Sequence, residues 1–71
     1  MAEVSAEIDA EVGRVPAEVG RAVAVGDELV ILKSMNTEIP VLAPIAGEVA
    51  EVRVASGAHV QAGEVLAVIG E

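Results

Sequence analysis

The sequence has 71 residues, a formal net charge of −8, and no cysteine, tryptophan, tyrosine or phenylalanine. That length holds one domain, residues 1–71, and the missing cysteine excludes a disulfide staple and a thiolate metal site. Twelve acids against four lysines and arginines argue against a nucleic-acid partner, whose phosphates would be repelled, and no run is long or apolar enough for a membrane-spanning helix.

With no aromatics, the core must be built from Val, Ile, Leu and Ala. Residues 1–7 read as a short acidic lead running into a first strand. From residue 8 to 15, Ile8, Ala10 and Val12 alternate at the two-residue period of a strand, and Val15 resumes after Gly13. Gly13 marks a bulge or a close approach of two backbones. Pro16 has no N–H to give a ladder, so this strand is either an edge or ends there. An exposed edge near Pro16 would leave room for a dimer. Val19-Gly20 opens a turn, Val23 and Val25 are core candidates, and Gly26-Asp27 is a second turn signal.

The next stretch predicts a hairpin. Leu29, Val30, Ile31 and Leu32 suit a half-buried strand, and Ile39, Val41 and Leu42 suit its return. Met35-Asn36 is the natural two-residue tip, and Asn tolerates the positive φ that tight hairpins require. Folding at that tip sets Ser34 opposite Thr37 and Lys33 opposite Glu38, an opposite-charge pair worth at most ~1 kcal/mol.

The second half of the chain repeats the first at an offset of 37 residues. The offset relates Gly20 to Gly57, Gly26 to Gly63, Asp27 to Glu64, Ile8 to Ile45, Val12 to Val49, Leu29 to Leu66 and Ile31 to Val68. Two repeats are too few for a solenoid, but they suit two β-units facing each other across a pseudo-two-fold axis. The glycines are expected at positive φ in matching turns. Asp27 and Glu64, being equivalent, are expected to bond within those turns, since an acid/base pair needs unlike environments. A phosphate cradle would need a Gly-rich loop feeding a helix, and no helical period is present. His59 has no cysteine or second histidine to share a zinc ion and no nucleophile in context, so it reads as solvent-exposed.

The hairpin also resembles the biotinylation hairpin of biotin carboxyl carrier proteins, which reads Glu-(Ala/Ser)-Met-Lys-Met-Glu with biotin on the tip lysine. Ser34, Met35 and Glu38 match, as does Ile39-Pro40-Val41-Leu42-Ala43-Pro44 with Gly47 soon after. Asn36 stands where that lysine would be, Lys33 replaces the flanking acid, and Thr37 replaces the second methionine. The resemblance covers essentially the whole chain. It implies an all-β, flattened barrel-sandwich of two four-stranded antiparallel sheets, the biotinyl/lipoyl fold, with the hairpin at one end and both termini at the other. It further implies a carrier and not an enzyme, with biotin as cofactor. The implied partners in an acyl-CoA carboxylase type of system are biotin carboxylase, carboxyltransferase and biotin protein ligase, and the expected location is cytoplasmic.

Asn36 contradicts the cargo. Its amide nitrogen is delocalised into a carbonyl and cannot replace a lysine amine as an acyl acceptor. The site residues carried over are therefore Asn36, at the lysine position but not modifiable, and Ser34, Met35 and Thr37 as the hairpin flank. Lys33 is the only lysine, but three positions away along a strand it faces the wrong side. The expected state is unbiotinylated, and the alternative function is an interaction module docking on a biotin-dependent carboxylase or biotin ligase. Lipoyl attachment needs the same missing lysine.

Overall fold

Short apolar runs separated by Gly-containing turns give eight strands and no helix among residues 1–70, the residues described by the computed structural model. They are β1 (Ala2–Ser5), β2 (Ala10–Arg14), β3 (Ala22–Val23), β4 (Glu28–Ser34), β5 (Thr37–Leu42), β6 (Gly47–Val52), β7 (His59–Val60) and β8 (Val65–Gly70). One sheet runs β1-β8-β6-β3 and the other β5-β4-β2-β7, and every pairing is antiparallel. This is the all-β biotinyl/lipoyl architecture expected from the sequence.

The apolar runs Leu29 to Leu32 and Leu66 to Ile69 occupy β4 and β8, which lie inside their sheets with neighbours on both sides. All eight residues are buried, as an interior strand covered on both faces requires. Leu29, Leu32, Leu66 and Ile69 are joined by Val12, Val30 and Val49 as the most fully buried side chains. Each contributes roughly 1.5–3 kcal/mol by leaving water. Among the described residues no polar side chain is buried, so the core carries no desolvation penalty to offset.

The repeat is visible in the backbone bonds. Gly20 N–H donates to Val49 and Gly57 N–H to Val12, both at 2.8 Å. Gly26 N–H donates to Ala43 at 2.9 Å and Gly63 N–H to Ala6 at 2.7 Å. Donors and acceptors both obey the offset of 37, so each unit's turns are tied to the other unit. All four glycines lie at φ between +89° and +91°, where a Cβ would be strained. The symmetry bends once. Arg53 N–H donates to Leu66, but its mate Pro16 has no N–H, and Ala17 donates to Leu29 in its place.

Two sequence expectations change, and a third resolves to one of its two alternatives. Ile8 does not belong to a strand with Ala10 and Val12. It lies in a bend, 37% exposed, where the chain leaves β1 and crosses to the other sheet. Val25 is 68% exposed and not core, because the tight turn at Gly26 points it outward. Of the two readings for Pro16, the strand ends first: β2 stops at Arg14 and lies between β4 and β7, so no edge exists there. The edges are β1, β3, β5 and β7. At Gly13, by contrast, both readings hold. The β2–β4 register shifts between Val12 and Arg14, and a Cβ at Gly13 would lie 3.2 Å from the Ile31 carbonyl oxygen.

Candidate functional site

The β4–β5 hairpin pairs Ser34 with Thr37, Lys33 with Glu38, Leu32 with Ile39 and Ile31 with Pro40, so Met35 and Asn36 alone form the tip. Leu29 to Leu32 anchor the strand that leads to it. The projecting end is thus held by the core while its last residues remain in water. Ser34 is half-buried, and Lys33, Met35, Asn36, Thr37 and Glu38 are exposed. Met35 is fully so.

The tip differs from expectation in its backbone. Among the described non-glycine residues only Met35 has positive φ, at 58°, and Asn36 does not. A two-residue turn with positive φ at its first position favours glycine there. Methionine in that conformation costs about 1–2 kcal/mol. The sequence pointed to Asn36 on intrinsic preference, but the sheet's twist and the closing Ser34–Thr37 pair place the strain one residue earlier.

Lys33 is not a tip residue. A Cβ at Gly13 would come within 3.2 Å of both Lys33 Cγ and Cε, so the lysine stem arches over the bare backbone of β2. Among the described residues no direct Lys33–Glu38 ion pair forms, although the two stand opposite each other. The register extends that row across the sheet: Glu38 on β5, Lys33 on β4, Glu11 on β2 and His59 on β7. His59 Nε2 lies 3.8 Å from Glu11 Oε2, and both side chains are largely exposed. An exposed pair of this kind adds little stability. Reading the hairpin alone missed Glu11 as a neighbour of Lys33, because β2–β4 pairing leaves no local signal. His59 is exposed as expected.

Asp27 and Glu64 bond within their turns as expected. Ala24 N–H donates to Asp27 Oδ2 at 2.9 Å, and Gln61 N–H donates to Glu64 Oε1 at 3.2 Å. No group of three or more metal-ligating side chains occurs among the described residues. The tip's chemical capacity is therefore narrow. Asn36 offers a carboxamide to hydrogen-bond and Met35 a polarisable apolar arm. No amine stands on the tip to hold a biotinyl or lipoyl group in amide linkage, so the residues present do not fit either group.

Similarity to known proteins bears on the fold and the ancestry together. The family model described as "Biotin-requiring enzyme", that of the biotin/lipoyl attachment domain, matches residues 1–69. A protein of Mycobacterium leprae (strain TN), described as a biotinylated protein TB7.3 homolog, is 51% identical over 67 residues, 94% of each chain. Among solved structures, the Kluyveromyces lactis urea carboxylase matches at 32% identity and a TM-score of 0.91. That match covers 97% of this chain but 6% of the carboxylase. A single-chain, multi-domain long-chain acyl-CoA carboxylase matches at 29% and 0.87, over 93% of this chain and 7% of its own. The lipoyl domain of the Azotobacter vinelandii 2-oxoglutarate dehydrogenase complex, at 24% identity and a TM-score of 0.76 over 96% of both chains, shares the fold. In sequence and architecture alike, this chain belongs to the biotin/lipoyl attachment domain family.

Proposed function

We propose that this chain is a carboxyl-carrier-type domain of a biotin-dependent, acyl-CoA carboxylase type of system, and that it carries no biotin. One observation carries the reading: the tip that the core projects into water is Met35-Asn36 and bears no amine. Asn36 occupies the position of the attachment lysine, and the nearest amine, on Lys33, belongs to a stem laid over Gly13. Support for the parent system comes from the 51%-identical relative, described as biotinylated, and from the two carboxylases that contain a similar domain. Biotin carboxylase, carboxyltransferase and biotin protein ligase are the proposed contacts, in the cytoplasm.

The second reading is a non-biotinylated module that docks on such a carboxylase or on the ligase. It is favoured by Met35, which is fully exposed and held at φ 58°. Strained backbone of this sort clusters at sites that make functional contacts.

The test is co-expression with an active biotin ligase followed by intact-mass measurement. The expected result is an unmodified chain, and an Asn36→Lys variant that gains one biotin. Biotin on the unaltered chain would overturn the reading. An Asn36→Lys variant that folds but stays unmodified would move support to the docking module.

A further inference from the structure

The two sheets meet along a seam between the edge strands β1 and β5, and there the barrel is open. A groove of about 430 Å³ runs along it, between Val4 and Ile8 on one side and Ile39, Val41 and Leu42 on the other. Leu32 lies beneath, and Ile8 and Leu42 remain 37% and 47% exposed. Among the described residues, Glu3 and Glu7 are the only ionisable ones lining the groove. In a chain of net charge −8 that rim strengthens a field that repels acids and attracts bases.

The two edges are equivalent positions in the repeat, but they differ in what they offer. Pro40 of β5 is related by the offset of 37 to Glu3 of β1. Proline blunts the β5 edge because it has no N–H to give an added strand. β1 contains no proline and bonds β8 on one side only. Strand addition is therefore open at β1 and impeded at β5.

We infer that this groove docks an extended segment of a partner protein in which apolar residues alternate with lysine or arginine. The segment adds as a strand to β1. Its apolar side chains enter between Ile8 and Leu42, and its cations meet Glu3 and Glu7. Alternation is required because successive side chains of a strand point to opposite faces, and main-chain bonds supply affinity while the side chains supply choice. A second copy of this chain is a poor occupant, since two bodies of charge −8 repel. The inference does not depend on the state of Asn36.

The probe is an end-capped peptide alternating valine and arginine, roughly as long as β1, titrated into the full ¹⁵N-labelled chain. Backbone amide shifts are expected to concentrate on β1, Glu7, Ile8 and the outer positions of β5. A Glu3→Lys/Glu7→Lys variant should bind about tenfold more weakly or worse. Glu51→Lys, on β6, should change affinity by less than about twofold, and N-methylation of the peptide's alternate amides should abolish binding. Both variants alter exposed side chains, and their amide spectra report folding independently. Shifts centred on the β2–β7 face, equal weakening by Glu51→Lys, or no binding at millimolar peptide would each overturn the inference. So would β1 shifts that grow with protein concentration in the absence of peptide, which would assign the groove to a second copy.

Discussion

Replacing Gly47 by alanine tests how the β1-β8-β6-β3 sheet is closed. A Cβ built at Gly47 collides with the Gly70 carbonyl oxygen and lies 2.9 Å from Ile69 Cγ2. The first obstacle is backbone and cannot rotate aside. Relief requires β6 to draw away from β8 at the Glu48–Gly70 pair, and β3 depends on the same place, because its two pairs are Ala22–Glu48 and Val23–Gly47. Overpacking costs ~1–3 kcal/mol, and each ladder bond weakened adds ~1 kcal/mol. The expected total is about 3 kcal/mol, against a whole-domain stability of ~4–10 kcal/mol for a chain this short. Gly13→Ala is the matched control. Its closest contacts are the Ile31 carbonyl oxygen and the flexible Lys33 stem, all at 3.2 Å, so it should cost only ~1 kcal/mol. With no tryptophan or tyrosine, urea unfolding is followed by far-ultraviolet circular dichroism. At a slope near ~1 kcal/mol per molar urea, Gly47→Ala should lower the midpoint by about 3 M. A Gly47→Ala midpoint no lower than that of Gly13→Ala would refute the steric reasoning.

Three further outcomes are expected from the same measurement. Gly26→Ala and Gly63→Ala should each cost ~1–2 kcal/mol, and should agree within ~0.5 kcal/mol, because φ is +90° at both and neither Cβ meets a neighbour; a large inequality would break the pseudo-symmetry. Met35→Gly should raise stability by ~0.5–1 kcal/mol, as relief of strain at φ 58° outweighs the entropy glycine adds to the unfolded chain; a fall would mean the side chain packs on the body. Leu32→Ala, at a site 1% exposed, should cost ~2–5 kcal/mol; a loss below ~1 kcal/mol would place Leu32 outside the core.

Much of the candidate site was legible because hairpin registry is a local matter. Apolar runs on either side of Met35-Asn36 fix which residues oppose one another, and Ser34–Thr37 and Lys33–Glu38 are paired as read. What surrounds the hairpin was not legible. Glu11 and His59 reach the Lys33 row through β2 and β7, strands whose pairing is long-range. The residue bearing positive φ was misread for a related reason: intrinsic preference favours Asn, but the twist of a closed ladder selected Met35.

The repeat of 37 residues, the four turn glycines and the aliphatic centre were determined by the sequence alone, because turn chemistry and strand period act between near neighbours. Only the tertiary structure decided where equivalent positions part company. Ala10 and Gly47 are mates in the repeat, yet alanine is excluded at 47 by the approach of Gly70 from another strand. Glu3 and Pro40 are mates as well, yet only the packing of the two sheets brings their strands to one seam. Close approach and open edges are properties of strands brought together from far along the chain, and no local pattern encodes them.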